Sequence, residues 1–133
     1  IQDEQWETMV FSDGEWSAHH ILRHIVTSES SMNGLIQQIV AGGSGTPENF
    51  DIDRFNRGQI RKQEEKSSAE LLDMMAKNHQ GTLALLDSLD EDDLAKRGRH
   101  GGLGRETSVQ TIFKIIAGHN LQHAQDVQAA LGA

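Results

Sequence analysis

Cysteine and tyrosine are both absent from the 133 residues, and there is a single proline. Without cysteine there are no disulfides, no thiolate zinc sites and no sulfur nucleophile, so any metal must be held by histidine and carboxylate. The redox compartment is left open. Aromatic residues reach only 5%, and Ala, Leu, Gln, Glu and Ile dominate the long stretches, which favours helix over strand. Basic side chains are also in short supply. Twelve Lys and Arg face 20 Asp and Glu, for a formal charge of −8, which excludes the basic patch of a nucleic-acid binder. No apolar run approaches the roughly 18 residues of a membrane span, and no signal-peptide pattern occurs. A cytoplasmic protein with neither nucleic-acid nor membrane partners is expected. The chain opens on Ile1 rather than Met, so the expectation is that upstream residues were removed or omitted.

What remains is an ordinary globular composition, with 36% hydrophobic and 24% charged residues. One domain over residues 1–133 is expected, large enough to bury a core without staples. Ser12-Asp13-Gly14-Glu15 reads as a capping box opening a helix over about 16–41, with Ile21, Leu22, Ile25, Met32, Leu35, Ile36 and Ile39 on its buried face. Gly42-Gly43-Ser44-Gly45 and Pro47 must end it. Residues 48–66 are ambiguous; Phe50, Phe55 and Ile60 could anchor a short helix capped at Asp51 or Asp53. Ser67-Ser68-Ala69-Glu70 is a second capping box. It starts a helix over about 67–89 with Leu72, Met75, Leu83 and Leu86 on one stripe, either separate or a kinked continuation. Residues 90–106 read as a loop, beginning with an acidic run and carrying four glycines among basic residues. Thr107-Ser108-Val109-Gln110 is a third capping box, before a helix over about 107–131 with Ile112, Ile116, Val127 and Ala130 inward. No strand pattern is apparent, so the expected fold is an all-α bundle.

Seven histidines are present, and their phase on the helices separates them. On the last helix His123 falls inside the apolar stripe and His119 one turn earlier, at its edge. An i, i+4 pair places Cβ atoms about 5–6 Å apart, the spacing of helical His-x-x-x-His metal pairs. Two buried imidazoles without partners are costly, and a shared metal removes that cost; two hydrogen-bonded core or rim histidines are the equally weighted alternative. On the first helix His24 lies about 70° from the apolar direction, while His19 and His20 point further out. His24 is therefore the one that can reach inward, unless it is a boundary residue with a solvated ring. His79, between Met75 and Leu83, reads first as a satisfied core histidine, and otherwise as a fourth ligand or a donor behind the ligands. His100, in the glycine-rich loop, is either an exposed loop residue or one that contacts substrate.

Trp16-Ser17 followed by Ile21-Leu22-Arg23-His24-Ile25 resembles the signature helix of the DinB-like superfamily, which includes YfiT-like proteins and thiol-dependent S-transferases such as mycothiol-dependent maleylpyruvate isomerase. His119-Asn120-Leu121-Gln122-His123-Ala124-Gln125-Asp126-Val127 resembles that family's closing His-x-x-x-His helix. Asp3-Glu4-Gln5-Trp6 and Gly14-Glu15-Trp16-Ser17 are similar to its lead-in. The resemblance covers about residues 3–131. It implies a four-helix bundle of DinB-like type, with the family's first helix missing or truncated here, and a metal-binding triad at His24, His119 and His123.

Three neutral imidazoles leave coordination positions open, as in catalytic rather than structural sites. The resulting expectation is a metal-dependent enzyme acting on a small-molecule substrate as a thiol S-transferase or a hydrolase. The alternative is a non-catalytic bundle that binds or sequesters a small molecule, with the metal incidental. Zinc and nickel are the leading metals, since all-nitrogen ligation does not separate them. Any thiol must be an external low-molecular-weight cofactor. His100, Asp126 and Glu29 are the candidate acids or bases; Asp126, three residues past His123, could also stand behind it as a hydrogen-bond partner. A homodimer is expected if the missing helix leaves apolar surface exposed.

Overall fold

The computed structural model describes residues 1–11 and 16–132. Four long helices dominate: α1 (Ala18–Val40), α2 (Ile52–Lys62), α3 (Ser68–Ser88) and, after the single-turn α4 (Glu91–Ala95), α5 (Val109–Ala130). They form a four-helix bundle. The capping chemistry sets most boundaries. Asp51 caps α2 by accepting from the Arg54 N–H, and Ser67 and Glu70 form a reciprocal capping box at α3. α2 and α3 are separate helices, divided by a turn after Lys62.

Two caps differ from the sequence reading. The Ser12–Glu15 box lies outside the described residues, and α1 is capped by Ser17, whose hydroxyl accepts from the His20 N–H. α5 is capped by Ser108, accepting from Thr111, rather than by Thr107. Thr107 lies one residue before the cap, paired with Gly98 in a strand.

That strand is the larger correction. Residues 97–108 are not a loop but an antiparallel hairpin, β1 (Arg97–His100) and β2 (Arg105–Ser108), with Gly104 at positive φ in the turn. The four-residue strands are too short for an alternating pattern to show. The hairpin is held by the segment after α1: the Arg99 N–H donates to Ser44 and its carbonyl accepts from Thr46. Gly45 sits between them at φ +92°, and a Cβ there would run into the Arg99 backbone. The glycines permit close backbone approach rather than a mobile loop. The acidic run before it is also ordered, Asp90 capping α4 in a box with Asp93.

α1 is the central helix, packed against α2, α3 and α5. Ile36 and Ile39 near its end meet Val109, Ile112 and Ile116 at the start of α5, so the two helices run antiparallel. On its other side Leu22 and Val26 pack on Leu71, with Met74, Met75 and Trp6 around them. α3 is rotated relative to the expected stripe. Its inward positions are Leu71, Met74, Met75, Asn78, Thr82 and Leu85, so Met75 of that stripe faces in, whereas Leu72 and Leu83 are 41% and 49% exposed, and Leu86 is exposed too. His79 is exposed with them, not a core residue. The phase is set by polar residues. Thr82 donates to the carboxylate of Glu29, and Asn78 donates to the Val26 carbonyl. No helix among the described residues is long and apolar enough to cross a membrane.

Candidate metal centre

Antiparallel packing brings the first half of α1 beside the second half of α5. There His24, His119 and His123 converge, each offering a ring nitrogen, with all three atoms within 4.8 Å of one another. Nε2 of His24 lies 2.9 Å from Nε2 of His119, and the three ring centroids are 4.5–5.1 Å apart. His19 and His20 take no part: His19 accepts from the Arg23 guanidinium at 2.7 Å, and His20 faces the Ser17 hydroxyl at 3.0 Å. The helix phase inferred from sequence for α1 and α5 is the phase observed.

His24 is only 6% exposed, and its ring meets Trp16 edge-on at 5.1 Å between centroids. Desolvation, reinforced by the neighbouring His119 and His123, pushes its pKa down to about 3. Burial likewise lowers His119, with His123 adding to the effect, and lowers His123 against the opposing pull of Asp126. The cluster is held neutral at physiological pH, the form in which imidazole can donate a lone pair.

The hydrogen bonds around the rings suit a cation between them. Nδ1 of His24 lies 3.2 Å from the Ser28 hydroxyl, so with Nδ1–H donating there its Nε2 lone pair is free to face the cluster. Nδ1 of His119 and of His123 are buried without a hydrogen-bond partner among the described residues. Asp126 approaches His123 Nδ1 at 3.5 Å, an electrostatic neighbour at a distance too long for a good hydrogen bond. Two nitrogens about 2.0–2.1 Å from a tetrahedral zinc stand roughly 3.3 Å apart, close to the His24–His119 spacing. Three converging imidazoles, held neutral by burial, therefore fit a divalent transition metal.

The cluster opens on two cavities. An outer one of about 500 Å³ is lined by Trp16, His24, His123 and, from α2, Asp53, Asn56 and Arg57. An inner one of about 160 Å³ lies between His24, His119, Ser28, Phe55, Ile115 and His100. His100, read from sequence as a loop residue, ends β1 and is buried against the inner cavity. Asp126 sits beside His123 and accepts from Gln122. Glu29 is 1% exposed, held by Thr82 at 2.8 Å and Asn120 at 3.4 Å, which makes it a tie between α1, α3 and α5 rather than a free base. The contribution of α2 was not legible, because Asp53, Asn56 and Arg57 lie in a polar stretch without a motif. Ser28 was missed as a partner of His24, although its i, i+4 spacing is the available signal.

A helical bundle with histidines facing a cavity from antiparallel helices defines the class. The chain belongs to the DinB superfamily, whose sequence pattern matches residues 1–127. A curated protein of Bacillus licheniformis, described as a candidate metal-dependent hydrolase, is 26% identical over 132 residues, spanning 97% of this chain and 72% of its own length. The solved structure of YfiT from Bacillus subtilis, presented as a probable metal-dependent hydrolase with an unusual four-helix bundle topology, matches with a TM-score of 0.75 at 14% identity. That likeness, over 99% of this chain and 75% of that one, is one of fold.

Proposed function

We propose that His24, His119 and His123 bind one divalent transition metal, zinc or nickel, and that the protein is a metal-dependent hydrolase of a small molecule. The observation that carries this reading is the convergence of three neutral imidazoles within 4.8 Å at the mouth of two cavities. A bound ion supplies Lewis acidity, polarising a substrate carbonyl and lowering the pKa of a water molecule. The chain's own residues do the rest. Ser28 fixes the His24 ring, and Asp126 favours the proton on His123 Nδ1, leaving its Nε2 for the cavity. Phe55 and Ile115 keep the inner cavity apolar. The names of the Bacillus licheniformis and Bacillus subtilis proteins point to the same reaction class.

Transfer of a low-molecular-weight thiol is the second reading, favoured by Asp53 and Arg57 at the outer cavity. Their opposite charges suit the amine and carboxylate of such a thiol. Elemental analysis of the purified protein beside a His119→Ala, His123→Ala double variant tests the metal. About one ion per chain in the first and little in the second is expected. Equal contents would defeat the site. Hydrolysis of p-nitrophenyl acetate that falls on chelation and returns with zinc or nickel supports the hydrolase. Metal-loaded protein inert to esters and amides, but active once a thiol is added, would replace it with the transferase. Inertness under both conditions would leave a binding protein.

A further inference from the structure

We propose that His100 is a substrate-binding residue whose Nε2–H donates to the carbonyl oxygen of an uncharged acyl compound, the apolar body of which lies in the slot beside it. The inference rests on the hydrolase reading for its chemistry but on separate observations for its geometry. His100 is 9% exposed. Its Nδ1 lies 3.1 Å from the backbone nitrogen of Leu103. A backbone N–H can only donate, so Nδ1 is the acceptor and the single proton of the neutral ring is on Nε2. That N–H is buried and has no protein partner among the described residues. Orphaned buried donors are rare, and one at a cavity wall calls for a ligand.

The cavity supplies the rest. His100 shares the inner cavity with His24 and His119 and also borders a slot of about 340 Å³ formed with Met32, Leu35, Phe50, Ile52 and Phe55. The ring thus stands between the imidazole cluster and an apolar compartment, where the polar end of a bound molecule would meet its tail. Gly102 lets the turn close on the ring, since a Cβ there would lie 3.0 Å from Cε1 and 3.4 Å from Nδ1 of His100. Among the described residues that line these two cavities there is no lysine, arginine or carboxylate. Burial also disfavours the protonated ring of His100. A neutral donor in a largely apolar wall without ionised side chains suits the oxygen of an ester or amide carbonyl.

The test uses N,N-dimethylbutyramide, an acceptor-only carbonyl probe, titrated into metal-loaded and metal-stripped protein and followed by ring ¹⁵N NMR. His100 should show an unprotonated Nδ1 and a protonated Nε2, and the Nε2 resonance should shift saturably with the probe. His100→Asn keeps an acceptor for the Leu103 N–H but loses the cavity donor, and should weaken binding about tenfold. His100→Gln, which can carry a donor into the cavity, should stay within about threefold of the native affinity. Both variants should retain the native metal content. A proton on Nδ1, no saturable shift at Nε2, or native affinity in His100→Asn would overturn the proposal. Should His100→Asn fail to fold, the native ring titration alone decides. Carbonyl binding by native protein that takes up no zinc or nickel would leave this inference standing while the metal reading falls.

Discussion

Nε2 of His24 and Nε2 of His119, 95 residues apart in the chain, lie 2.9 Å from each other. Without a cation, one of the two must donate a proton to the other, and His123 is left with no such partner. With a cation between them, all three lone pairs point to one place. The packing of Ile36 and Ile39 on Val109, Ile112 and Ile116, toward the other end of the two helices, fixes how α1 and α5 lie together and so the level at which the rings meet. If they are ligands, His24→Ala should weaken metal affinity by at least about 100-fold, beyond the 10–100-fold typical of partners behind the ligands. His19→Ala, whose ring is engaged by Arg23, should leave affinity unchanged. Competition against a chromophoric chelator measures both. Similar losses in the two variants would contradict the convergence.

Acid should destabilise the metal-free fold. The folded-state pKa of His24 is depressed from 6.5 to about 3, and those of His100, His119 and His123 are lowered in the same direction. The unfolded chain therefore binds more protons than the folded one. For His24 the contribution is fully present above about pH 6.5 and is lost as pH falls toward about 3, at up to ~1.4 kcal/mol per pH unit, and the other three rings act in the same direction. Urea unfolding at pH 7.5, 6.0 and 5.0 should give steadily falling midpoints, and a flat profile would show that these rings are not buried neutral.

Glu29 should matter for stability. Its carboxylate takes a hydrogen bond from Thr82 on α3 and one from Asn120 on α5, and truncation breaks this tie between helices, leaving the Thr82 hydroxyl only the Asn78 carbonyl of its own helix. Glu29→Ala is expected to cost about 2–3 kcal/mol, read as a lowered denaturation midpoint with unchanged m-value. A cost below about 0.5 kcal/mol, the range of surface substitutions, would mean that water replaces the carboxylate freely.

The rotation of α3 separates two neighbouring leucine substitutions. Leu71 is fully buried between Leu22 and Val26, so Leu71→Ala should cost about 2–5 kcal/mol. Leu83, which belonged to the apolar stripe expected from sequence, is half-exposed, and Leu83→Ala should stay within about 0.5 kcal/mol. Thermal denaturation of both variants decides between the two phases, and the reverse ranking would restore the stripe of Leu72, Met75, Leu83 and Leu86.

Legibility followed the strength of the local signal. α1 and α5 carry sustained apolar spacing and chain breakers at their ends, so their existence, approximate limits and phase were readable, and with the phase came the inward direction of His24, His119 and His123. α3 misled because two of its inward positions, Asn78 and Thr82, are polar. Hydrogen bonding to Glu29 and Val26 outweighed the burial of Leu83, and the periodicity of leucines alone cannot express that competition. The hairpin was missed because four-residue strands rich in arginine and glycine carry no alternation, and their pairing is stabilised by Ser44 and Thr46, more than 50 residues away.

The order of residues by itself determined that helices would form, where most would start and stop, that the described chain carries no thiol of its own, and which imidazoles were available to face a core. These follow from interactions within a few turns of one helix. Only the tertiary structure decided that α1 and α5 run antiparallel with their histidines level, that His100 is pinned by the Leu103 N–H at a cavity wall, and that Glu29 is a buried tie. Those depend on contacts between segments tens of residues apart, whose geometry is set by the packing of whole faces and has no trace in local spacing.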